Sequence, residues 1–71
     1  MTYTSKKINT GIYLITFANG VRVRIQRYQD GLWHTFDVAA EEAGQDGYWQ
    51  TYCTKGDALA DLIAHADELT A

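Results

Sequence analysis

Apolar and polar residues alternate through the first half of the chain. Ile12 to Ala18, Val21 to Gln29 and Leu32 to Ala39 are rich in Ile, Val, Tyr, Phe and Trp, and two tight-turn dipeptides, Asn19-Gly20 and Asp30-Gly31, separate them. This pattern predicts three antiparallel strands joined by hairpins. Read as two-residue turns, the dipeptides pair Leu14 with Ile25, Ile25 with Phe36, Thr16 with Val23 and Val23 with Val38. Leu14, Val23, Ile25, Phe36 and Val38 then share one face. The opposite face carries Tyr13, Ile15, Phe17, Arg22, Arg24, Gln26, Tyr28, Trp33, Thr35 and Asp37.

Downstream, Ala40 to Gly47 is a loop of Glu, Ala, Gly, Gln and Asp, and Tyr48 to Cys53 is short and aromatic enough for a fourth strand. Either Trp49, Thr51 and Cys53 or Tyr48, Gln50 and Tyr52 can face inward; Trp49 and Cys53 are favoured. Thr54, with Asp57 three residues later, resembles a capping box and predicts a helix from Lys55. Leu59, Leu62, Ile63, Ala66 and Leu69 give that helix one apolar stripe, while Asp57, Asp61, Ala64 and Glu68 lie on the other side. Residues 1–10 have no periodicity and read as a flexible arm or the frayed start of the first strand. The expectation is an α+β domain over residues 11–71, with an antiparallel meander of three to four strands and one C-terminal helix packed on one face.

At 71 residues such a domain has a small core, and one cysteine, Cys53, can close no internal disulfide. One Cys and two scattered His do not make a zinc site, and no long apolar run or charged leader is present. A cytoplasmic location is expected. Charge is segregated within the net −3: Lys6, Lys7, Arg22, Arg24 and Arg27 precede any acid, whereas nine acids and Lys55 follow.

Candidate chemistry is sparse. Cys53 at a helix start could be a nucleophile, but neither His34 nor His65 is placed to serve it, so a buried small residue is the plainer reading. Asp37, Glu41, Glu42 and Asp46 lack the spacing of a calcium loop, and Lys55-Gly56 is not a phosphate loop. No motif points to an enzyme, a cofactor, a metal or a small-molecule ligand. What remains is the second sheet face. Tyr13, Phe17, Arg22, Arg24, Tyr28 and Trp33 are of the types that dominate interface hot spots, so they are the expected partner-binding residues, for a protein or a second copy of this chain.

Three strands and a helix, with Gly31, Leu32 and Trp33 leading the third strand and Thr54 to Ala58 opening the helix, resemble the AP2-type and integrase arm-binding DNA-binding domains. That resemblance implies the alternative of duplex DNA on the same sheet face, with Arg22 and Arg24 as its cations. Gly11 to Tyr13, a Trp in a later strand and the Thr54-Lys55 helix start also resemble short accessory proteins of actinobacterial phages. This second resemblance implies a binding role in the cytosol of the host cell.

Overall fold

The computed structural model describes residues 2–65. It is an antiparallel meander of five strands: β1 (Tyr3–Asn9), β2 (Ile12–Phe17), β3 (Arg22–Arg27), β4 (Trp33–Asp37) and β5 (Tyr48–Tyr52), side by side in that order. A one-turn helix, α1 (Val38–Glu42), follows β4 directly, and α2 (Lys55–Ala64) follows β5. The α+β class and the antiparallel sheet are as expected; the strand count is five. Residues 3–9, expected as part of an arm, form the edge strand β1. All its side chains are exposed, so it is held by backbone pairing with β2 and carries no apolar signature.

The two hairpin loops are longer than a two-residue turn. Gly20 N–H donates to Phe17 O and Phe17 N–H to Val21 O, both at 2.9 Å; Gly31 and Tyr28 make the same pair of bonds with Tyr28 O and Leu32 O at 3.0 Å. These are three-residue loops in which only the glycine is left-handed, at φ 90° for Gly20 and 79° for Gly31. Asn19 and Asp30 keep negative φ and turn their side chains back to accept from Val21 N–H at 3.0 Å and Leu32 N–H at 2.8 Å.

The extra loop residue moves both registers by one. Ile15 lies opposite Val23, Leu14 opposite Arg24, Ile25 opposite Thr35, and Arg24 opposite Phe36. Since a one-residue slip exchanges the faces of a strand, β2 and β4 present the reverse of the expected sides while β3 keeps Val23 and Ile25 inward. Leu14, Phe36 and Val38 are therefore not core residues. The core is Ile15, Phe17, Val23 and Ile25 under Ala58 and Leu62 of α2, edged by Val21, Trp33, Tyr52 and Leu59. Arg24 does not face Asp37, as the shorter turn required; Asp37 caps α1, its Oδ1 accepting from Ala39 N–H at 3.1 Å.

On β5 a register shift lies opposite Thr35, and it sends Tyr48 and Thr51 to one side and Tyr52 to the other. Tyr52 is the inward residue. Trp49 and Cys53, expected inside, are exposed. α2 starts where Thr54 predicts: its Oγ1 accepts from Asp57 N–H at 3.0 Å. Ala58 and Leu62 carry its buried stripe and Ile63 is exposed; Ala66 and Leu69 lie outside the described residues.

Candidate functional site

α2 lies over one face of the sheet. The other, on the described residues, is bordered by α1 at one end and otherwise open. Of the six residues expected there, Arg22, Arg24 and Tyr28 are present. Tyr13, Phe17 and Trp33 are on the α2 side, because β2 and β4 are turned over by the longer loops; Phe17 is buried in the core. His34, Phe36, Tyr48 and Thr51 take their place.

Four rings form a closed group on this face. Tyr28 lies against His34 with centroids 4.3 Å apart and planes tilted by 35°, and stacks at 6.1 Å on Phe36; Tyr48 is 6.2 Å from His34, tilted, and meets Phe36 edge-on at 6.0 Å. These are the offset and edge arrangements that aromatic quadrupoles favour. Tyr28 and Tyr48 are 42% and 50% exposed, so the group is an outward surface and not a second core.

A line of polar contacts crosses the rings. Asp30 Oδ2 lies 3.1 Å from His34 Nε2, Thr51 Oγ1 is 3.3 Å from His34 Nδ1, and Tyr48 Oη is 2.7 Å from Thr51 Oγ1. All three contacts are satisfied when Tyr48 donates to Thr51, Thr51 to His34 and His34 to Asp30, with the imidazole proton assigned to Nε2 by that network. The Leu32 N–H, and after it His34, hold the Asp30 carboxyl below the usual carboxylate range. An acid, an imidazole and a hydroxyl in this order could activate a nucleophile. The Thr51 hydroxyl also accepts from Tyr48 and the imidazole lies against Tyr28, so the same network ties the rings to one another.

The cations on this face are already matched. α1 brings Glu41 to Arg24 in a two-point pair at 2.5 and 3.0 Å, and Glu42 to Arg22 at 2.5 and 3.4 Å. Arg24 also spreads its guanidinium over the Phe36 ring, 4.5 Å from the centroid. Pairing raises the Arg22 pKa and lowers that of Glu42, through the hydrogen bond first and the opposite charge second.

No protein-family model matches the chain, and no curated protein or solved structure matches it. Among the described residues no helix is long and apolar enough to cross a membrane, and no three His, Cys, Asp or Glu are grouped to hold a metal. The four carboxylates that lack calcium-loop spacing are separately used: Asp37 on the start of α1, Glu41 and Glu42 on the two arginines, and Asp46 on Tyr48 N–H at 3.0 Å.

Of the residues missed from the sequence, His34 and Phe36 follow from loop length, while Tyr48 and Thr51 are placed by the register shift between β4 and β5. A three-residue reading of the two Gly turns places Ile15 and Phe17 inside and His34 and Phe36 outside. The signal available was the size of the Tyr13, Ile15 and Phe17 set, which outweighs Leu14 and Thr16 as core.

Proposed function

We propose that the chain is a non-catalytic binding module whose open sheet face docks a protein, and that the occupant is a second copy of the chain. The observation that carries this reading is the charge balance of the face: Arg22 and Arg24 are matched by Glu42 and Glu41 around an outward group of Tyr28, His34, Phe36 and Tyr48. Such a surface meets its own copy without like-charge repulsion, and aromatic residues with Arg are the usual anchors of protein interfaces. The small apolar core of this 71-residue chain adds a reason for association. The alternative occupant, duplex DNA, would have to break both arginine–glutamate pairs before either guanidinium met a phosphate. With the resemblance to phage accessory proteins, the reading places the module in a bacterial cytosol. The exposed free thiol of Cys53 suits that reducing compartment.

The test is sedimentation equilibrium over a range of concentrations. The expected mass is twice the 8.0 kDa of the chain. Tyr28→Asp and Tyr48→Asp should each weaken the dimer by about 30-fold or more, with the circular dichroism spectrum of the wild type retained by each variant. A wild-type monomer at every concentration, or a dimer untouched by both substitutions, overturns the proposal.

A further inference from the structure

The α2 side of the sheet holds a second surface, at the end where α2 begins. A cleft of about 510 Å³ opens at that end of the sheet, lined by Lys7, Tyr13, Arg27, Gln29 and Trp33 and, from the edge of the open face, by Tyr28. The strand register builds it: Lys7 stands opposite Tyr13, and Arg27 opposite Trp33, all on the face that Ile15 and Ile25 share. The Tyr13 and Trp33 rings are 6.2 Å apart and inclined at 43°. Lys55, the first residue of α2, lays its ammonium on the Tyr13 ring, 3.6 Å from the centroid.

The cations at this end differ from those of the open face. Arg22 and Arg24 each have a glutamate; among the described residues, Lys7, Arg27 and Lys55 have no carboxylate at salt-bridge distance. Asp30, in the turn after Gln29, accepts from Leu32 N–H and contacts His34, and Asp61 of α2 accepts from the Tyr52 hydroxyl and pairs with His65. Lys7 and Arg27 on the wall of an aromatic-lined cleft, with Lys55 on the Tyr13 ring beside them, form a local reversal of sign in a chain of net charge −3.

We infer that this cleft binds a nucleoside phosphate, with the base against Trp33 and the phosphate between Lys7 and Arg27, to which Lys55 on the Tyr13 ring adds positive charge from beside the cleft. Stacking on Trp with charge-assisted contacts from Lys and Arg is the physical basis of nucleotide capture whether the ligand is a free nucleotide or the phosphorylated end of a strand. The cleft size is in the range of small-ligand sites.

Trp33 fluorescence reads this directly once Trp49, exposed on the far edge strand, is replaced in a Trp49→Phe background. The probes are adenosine monophosphate, adenosine, inorganic phosphate and a 5′-phosphorylated trinucleotide. Saturable quenching by the monophosphate is expected, with adenosine and phosphate each weaker by about tenfold or more. Lys7→Gln and Arg27→Gln should each raise the monophosphate Kd by about tenfold, with circular dichroism unchanged. Tighter binding of the trinucleotide than of the monophosphate would assign the phosphate to a strand end, and the reverse order to a free nucleotide. No saturable response to either ligand, equal affinity for phosphate alone, or indifference to both substitutions overturns the inference.

Discussion

Thr35 and Gln50 exchange two hydrogen bonds through one hydroxyl: Thr35 Oγ1 donates to Gln50 O at 2.9 Å and accepts from Gln50 N–H at 3.0 Å. The register of β4 and β5 shifts at this point, so Gln50 has no ordinary ladder partner on β4 and the side chain supplies both bonds. Thr35 is fully buried, the one buried polar residue among those described. Replacing it with Val keeps the shape and leaves the Gln50 amide and carbonyl unpaired. We expect Thr35→Val to lower unfolding free energy by about 1–3 kcal/mol in a denaturant titration, with faster amide exchange at Gln50. Unchanged stability would mean that water replaces the hydroxyl without loss.

Gly47 is fixed by close approach and not by backbone handedness. It is buried between the end of β4 and α1, its carbonyl accepting from Asp37 N–H at 2.7 Å. A methyl group at Gly47 would overlap the Asp37 carbonyl and stand 2.8 Å from Glu41 Cγ. Gly47→Ala should therefore cost about 1–3 kcal/mol and displace α1. Chemical shifts of Glu41 and Arg24 would move with it; if stability fell and those shifts did not move, the clash would have been relieved on the β5 side.

How far the sequence showed this fold depended on what each segment buries. Val23 and Ile25 alternate with Arg and Gln, so the inward side of β3 was legible, and Thr54 marked the start of α2 by its capping chemistry. β2 reads Ile-Tyr-Leu-Ile-Thr-Phe, apolar on both sides, so alternation could not choose its inward set and the turn length decided. Asn-Gly and Asp-Gly serve two-residue and three-residue loops alike, and the difference of one residue turned Tyr13, Phe17 and Trp33 to the opposite face. β1 buries no side chain, and α1 is one turn long, too short for a helical period. That turn carries Glu41 and Glu42, so the neutralisation of Arg22 and Arg24 was hidden with it.

The two arginine–glutamate pairs should differ in strength. Arg24 and Glu41 are 27% and 31% exposed, whereas Glu42 is 59% exposed, so solvent screens the second pair more. A double-mutant cycle on Arg24→Ala and Glu41→Ala should give a coupling of about 1 kcal/mol at low salt, with a smaller value for Arg22 and Glu42 that vanishes first as salt is added. Arg24 Nε is buried without a hydrogen-bond partner, so its guanidinium depends on Glu41 and Phe36 for compensation. Equal couplings for the two pairs would contradict that ordering.

Tyr52 gives the fold an alkaline limit. Its hydroxyl donates to Asp61 of α2, tying the edge strand β5 to the helix. Burial first, and the Asp61 contact second, push the phenol well above its ordinary value of 10.0. Because the folded pKa is raised, the stabilising difference is fully present below pH 10.0 and is lost as pH rises beyond it, where the unfolded chain releases the Tyr52 proton and the folded chain does not. Tyr52→Phe removes both the bond and the titration. We expect the variant to be less stable near neutral pH by about 1–3 kcal/mol, and the gap to narrow as pH rises above about 10. Denaturant titrations of both proteins across that range make the comparison, with the other tyrosines common to the two. A constant gap would show that the hydroxyl proton is released as easily in the folded protein as in the unfolded one.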